Sequence, residues 1–293
     1  MISQFLINGI VTGFAYALIA LGFGLIYNTT RIFNFAHGAV YTLAAYIFYT
    51  LYVAVELHIV LAIILTLGIV AVIGILIDEL IYYPLVKRGA SLLIVMLSSL
   101  GLYMVMINLI ALFYGNETKT LSPGVQPSYS IGPIILTRIQ IIIVVAFVVL
   151  FFALWAILRK TNLGKAIRAM RDDPDLLAAV GVNQRRVRRS VFALGSAISS
   201  VAAILLGLDV GIDPNVGMTA VLNGAVAVII GGVGIFEGAA VGALALGLLQ
   251  SLVIWNASAR WVDAIAFVAL IAFLLFRPQG IVGQRRRLEE TAL

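Results

Sequence analysis

Nine apolar runs, each close to the length needed to cross a bilayer, take up most of this chain. They fall at about 5–27, 36–55, 59–81, 91–114, 139–158, 190–208, 222–236, 237–254 and 261–276. A transmembrane helix needs about 20 mostly apolar residues. Inside lipid, only a helix or a closed barrel can satisfy its own backbone polar groups. Of the 293 residues 62% are hydrophobic and 11% charged, and the mean hydropathy is +1.12. Soluble domains run at about 45–50% apolar and about 25% charged. A water-soluble globule is therefore excluded, and so is a disordered chain, which needs low hydrophobicity. The expected fold is all-α, a polytopic membrane helix bundle of about eight or nine transmembrane helices forming a single domain over 1–293. The seventh run carries Gly224, Gly231, Gly232 and Gly234. It is either a full span or a re-entrant segment, since non-helical backbone at membrane depth survives only where protein or a cavity surrounds it.

Cysteine is absent and only His37 and His58 are present. A disulfide framework, a thiol nucleophile and a Cys- or His-rich metal site are excluded. No Lys or Arg precedes the first run, so that run reads as a retained span rather than a cleaved signal. The sequence pI near 9.7 does not point to nucleic acid, because in an apolar chain basic residues mark cytoplasmic loops. Sixteen of the 19 Lys and Arg lie in four places: Arg31, Lys87–Arg88, the 159–189 connection, and a tail holding Arg277, Arg285, Arg286 and Arg287. With nine crossings all sixteen share one side, which places the N-terminus outside and the C-terminus in the cytoplasm. A seven-crossing version, with 222–254 as a re-entrant hairpin, gives the same sidedness. Lys119, Arg138 and Arg260 fall outside. The longest outside connections are about 115–138, with Pro123, Pro127 and Pro133, and 209–221.

The 159–189 connection is the long inside one. Asp173 is a good N-cap, Pro174 suits the first helical position, and Asp175 suits the positive end of the helix dipole. Gly181 fits the left-handed residue that ends a helix. The pattern predicts a two-turn helix over Pro174–Val180 with a small apolar face, Leu177 and Ala178. A helix this short is marginal alone. It packs on its own bundle, lies at the lipid surface, or docks a cytoplasmic partner.

Gly9–Gly13, Gly207–Gly211 and Gly238–Gly242 match the small-xxx-small spacing that lets helices approach closely in lipid. They serve either packing within one chain or contact with a second membrane subunit. Polar residues within spans are costly and face the interior, which singles out Asn8, Thr12, Asn34, His37, Ser98, Ser99, Asn108 and Asn223. Asp78, Glu79 and Glu237 sit near inside ends, so no charge stands near the bilayer middle. This weighs against an ion-driven carrier. No paired carboxylates, Ser-His-Asp set or HExxH points to an intramembrane enzyme. The breaks at 31–38 and 231–238 are each followed by Gly-Ala and a new apolar run, a faint internal repeat of the kind that marks transport sites. No phosphate-binding GxxxxGK[ST] loop is present, so any ATPase must be another chain.

Four motifs carry a family resemblance: Asn34-Phe35-Ala36-His37-Gly38; Gly164-Lys165-Ala166-Ile167-Arg168 followed by Asp173, Ala178 and Gly181; Gly231-Gly232-Val233-Gly234 with Gly238; and Phe276-Arg277-Pro278-Gln279-Gly280. In this order, over nearly the whole chain, they resemble the inner-membrane permeases of branched-chain amino acid ABC importers, of the LivH type. The third motif departs from the common pattern in carrying Glu237 at its turn. The resemblance implies a second related permease chain, two cytoplasmic ATPase subunits that bind the ATP, and a periplasmic solute-binding protein. It implies that 159–189 is the ATPase-coupling segment, with Gly164, Arg168, Asp173, Pro174, Leu177, Ala178 and Gly181 as its key positions. It leaves the solute among branched-chain and other amino acids, urea and short amides.

The leading reading is thus a permease subunit in the plasma membrane, with no cofactor of its own. Its solute pathway is lined by neutral span residues: Asn34, His37, Ser98 and Asn223. The alternative is a stand-alone secondary transporter or channel for small neutral solutes, which would work without ATP or partners.

Overall fold

The computed structural model describes residues 2–121, 127–132, 134–256 and 258–283. Expectations placed on Pro123, Pro133 and Arg285–Arg287 lie outside the described residues. The elements run α1 (Ile2–Thr30), α2 (Ala36–Tyr49), α3 (Ile59–Ile77), α4 (Tyr83–Lys87), α5 (Leu92–Tyr114), β1 (Ser128–Ile131), β2 (Ile134–Thr137), α6 (Arg138–Lys160), α7 (Asn162–Asp172), α8 (Pro174–Ala179), α9 (Gln184–Val210), α10 (Val216–Gly231), α11 (Phe236–Asn256) and α12 (Val262–Phe276). A π turn, Asp78–Tyr82, joins α3 to α4, and another, Thr50–Ala54, ends α2.

Among the described residues six helices are long and apolar enough to cross a membrane: Ile2–Thr30, Ile59–Lys87, Leu92–Tyr114, Arg138–Lys160, Gln184–Val210 and Phe236–Trp255. Their starts are fixed by caps. The Thr137 hydroxyl accepts from Gln140 N at 3.2 Å while Gln140 Oε1 accepts from Thr137 N at 3.1 Å, a full capping box for α6. Ser91 caps α5 and Asn183 caps α9 in the simpler way.

α1 stands at the centre and packs against α9, α10 and α11, while α2 fills the gap beside α9 and α10. α3, α5, α6 and α12 form the outer wall. Their outward faces carry large exposed apolar residues such as Ile64, Leu112, Val149 and Leu275. A wall of that kind matches lipid rather than water.

Contacts sort the connections into two faces, and α1, α2, α3, α5, α6, α9, α10, α11 and α12 run alternately between them. On one, Lys119 and Ile212 form a β-bridge, and the Gln4 side chain bonds to both N and O of Ile135 in the β1–β2 hairpin. On the other meet residues 28–35, 78–88, 159–189, 232–237 and 277–283. The second face is the basic one, as the charge pattern requires. The hairpin was not foreseen: three prolines read as a plain connection.

The seventh run is a helix, displaced from the expected 222–236 to Val216–Gly231. Sixteen residues span about 24 Å, short of the hydrocarbon core. The helix begins below the hairpin face: Tyr103, halfway along α5, reaches the backbone of Met218 in its first turn.

Candidate functional site

α2 is also short, 14 residues before its π turn, and its start is equally deep. Arg31 turns the chain with φ 59°, and residues 32–35 fold inward. Asn34 and His37 are buried, at 3% and 1% exposed. The N-terminal turns of α2 and α10 meet there. A Cβ on Gly217 would lie 2.0 Å from the Gly38 carbonyl oxygen, and one on Gly38 would lie 2.5 Å from that of Gly217. Only glycine permits this approach. Two helix starts, each a positive dipole end, therefore face one another inside the fold.

A polar network surrounds the junction on the side of the basic face. Asn34 Oδ1 accepts from the Tyr82 hydroxyl at 2.7 Å and from His37 N at 3.2 Å. His37 Nε2 and the Ser199 hydroxyl are 2.7 Å apart. The Ser99 hydroxyl accepts from Phe35 N at 3.1 Å and donates to Met96 O at 2.7 Å. His37 Nδ1 is buried with no partner among the described residues. On the side of the hairpin face lies a cavity of about 120 Å³, bordered by Tyr16, Tyr41, Thr219 and Asn223. Asn223 Oδ1 accepts from Gln250 Nε2 at 3.3 Å.

Three of the four proposed pathway residues, Asn34, His37 and Asn223, thus border this junction. Ser98 stands apart, half-exposed, while its neighbour Ser99 joins the network. The buried positions of α5 are Val95, Ser99, Tyr103, Ile107 and Ile110. That three-to-four-residue spacing was in the sequence and would have picked Ser99. Ser199, Tyr82 and Gln250 were not singled out.

The other three motifs meet at the basic face. The 159–189 connection is mostly helical: α7 precedes α8, and Arg185, Arg186, Arg188 and Arg189 already belong to α9. The Asp173 carboxylate caps α8 by accepting from the backbone N of Asp175 and Leu176, both at 2.9 Å. Gly181 has φ 82°, as the helix-ending pattern predicted. α8 ends at Ala179 rather than Val180. Leu177 anchors it at 3% exposed, whereas Ala178 faces out, as do Leu176 at 62% and Val180 at 68%. Gly164 packs where its Cβ would strike the Ile157 and Leu158 carbonyls, and Arg168 donates to Leu158 O. Arg171 donates to Gly234 O at 2.8 Å, and Gly234 N donates to Asn28 Oδ1 at 2.9 Å. Gly280 packs against Gly232, while Ile281 N and Val282 N donate to Ile230 O and Gly231 O. The glycine-rich turn 231–234 is thus tied to α1, to α7 and to the chain after α12. Gly238 and Gly242 pack on α10, and Gly9 and Gly13 on α11. These glycine pairs serve packing within the chain.

Between α3 and α9 lies a buried ion pair that the sequence pattern did not announce. Arg188 donates to both carboxylate oxygens of Asp78, with side chains 6% and 0% exposed. Next to it, Glu79 accepts from Arg185 and Arg189.

Comparison with known proteins adds independent findings. The profile of the family described as "Branched-chain amino acid transport system / permease component" matches residues 5–274. The chain is 33% identical to the high-affinity branched-chain amino acid transport system permease protein BraD of Pseudomonas aeruginosa, over 96% of this chain and 95% of that one. It is 30% identical to the high-affinity branched-chain amino acid transport system permease protein LivH of Salmonella typhimurium, over the same shares. Among solved structures, PsaBC from Streptococcus pneumoniae in complex with Fab is similar in fold, with a TM-score of 0.52 at 13% identity, over 95% of this chain and 97% of that one.

Proposed function

The chain belongs to the branched-chain amino acid transport permease family and is a permease component of an ABC importer; on that premise we propose that it carries branched-chain amino acids through the α2–α10 junction. The ATPase is a separate chain. In our reading α8 docks on it, and a second permease chain and a soluble binding protein complete the importer, the latter delivering solute at the hairpin face. The observation that carries this reading is the junction itself. Two helix N-termini supply positive dipole ends at depth, where discontinuous helices in other transporters hold anionic groups. A mostly apolar cavity with a few hydroxyl and amide groups adjoins them. That combination suits a zwitterion with an apolar side chain. Leu176 on α8 and Val180 just past its end, both apolar and exposed, support a protein partner on the basic face.

The test is co-purification from the native membrane in mild detergent, followed by uptake of labelled leucine into liposomes holding the purified complex. An ATPase chain should co-purify, and uptake should need ATP and compete with isoleucine and valine but not urea. Transport by the isolated chain without ATP would establish the stand-alone alternative instead.

A further inference from the structure

We propose that a cavity at the basic face holds the headgroup of an anionic phospholipid. The cavity measures about 420 Å³ and lies between the ends of α1 and α6, α7, and the turn that leads into α11. It is within the range of ligand-binding pockets, and it shares none of Asn34, His37 or Asn223 with the junction.

Its charge is set in advance. Arg159, Arg168 and Arg171 border it, with Glu237 the acidic group among its lining residues. Arg159 pairs with Glu237 and Arg171 with Asp172, each at 2.9 Å. Arg168 spends its bond on the Leu158 carbonyl, and no acidic side chain pairs with it among the described residues. The site therefore keeps an excess of positive charge, and the bonds from Arg168 and Arg171 to backbone carbonyls hold those groups in place.

The lateral wall shows why the anion belongs to a lipid. Val148, Phe152, Trp155 and Arg159 follow one another at steps of four, three and four residues along α6, so they share one face. Val148 and Phe152 are exposed at 41% and 60% on the outer wall, Trp155 lines the cavity, and the Arg159 side chain is 61% exposed. The order along the stripe is apolar, then indole, then guanidinium. It matches acyl chain, ester region and phosphate, with Trp at the level where it concentrates in membrane proteins. Basic pockets between helices on the cytoplasmic side hold anionic headgroups for this reason. A free phosphate ion would have no use for the apolar part of the stripe.

The test is native mass spectrometry of the full chain in a neutral detergent, titrated with dioleoyl-phosphatidylglycerol or dioleoyl-phosphatidylcholine. Phosphatidylglycerol should be retained about fivefold more tightly, and Arg159→Gln or Arg171→Gln should each remove about that factor. Lys87→Gln, on the same face but outside the cavity, should leave it unchanged. Two different variants guard against loss of folding in one. Equal retention of the two lipids overturns the proposal. So does an equal loss in Lys87→Gln, which would mean diffuse attraction to the basic face. Displacement of the lipid by millimolar inorganic phosphate would assign the cavity to a free anion and also overturn it.

Discussion

Asp78 and Arg188 are fully buried partners in a chain with few charges. Taking two charges out of water is expensive, and each then depends on the other. Asp78→Asn leaves Arg188 buried without its counter-ion. It should lower stability by about 3–5 kcal/mol, read as an earlier loss of monodisperse protein on heating in detergent. The double change Asp78→Leu with Arg188→Leu removes both charges and should recover most of that loss. A double variant as unstable as the single one would mean that the pair has another role. From the sequence, Asp78 stood near the inside end of its run and Arg188 in a basic connection. Their pairing was illegible because it depends on the rotation of two helices 110 residues apart. Asn34 and His37 were legible, because polar residues inside apolar runs are few.

At the scale of elements, apolar length and charge asymmetry predicted about eight or nine helices and their alternation between faces. They could not place the starts of α2 and α10 below the surface, because hydropathy does not report depth. The α8 cap was legible because Asp173, Pro174 and Gly181 each have a local physical role. Gly181→Pro should abolish ATP-driven uptake while the chain still inserts. Proline cannot adopt the observed φ of 82°, and it removes the bond from Gly181 N to Ala178 O. The check is uptake beside membrane abundance; normal uptake would separate α8 from coupling. The hairpin and α7 were missed for a related reason: the periodicity of short segments between long apolar runs is outweighed by the runs.

For the whole molecule, the two faces can be told apart chemically. The chain has no cysteine, so a single introduced one reports its own surroundings. Tyr129→Cys, on the exposed hairpin, should react with a membrane-impermeant maleimide in intact spheroplasts. Arg186→Cys, exposed on the basic face, should react only after the membrane is opened. The reverse pattern would invert the molecule. The central place of α1 also sets a timetable. It is made well before its principal neighbours α9, α10 and α11, which begin only at Gln184. At a synthesis rate of about 5–20 residues per second, α11 follows it by roughly 10–50 s. Throughout that wait the nascent first helix has only lesser neighbours, chiefly α6. It bears no charged residue from Ile2 to Thr30, so the bilayer itself can shelter it until its partners arrive.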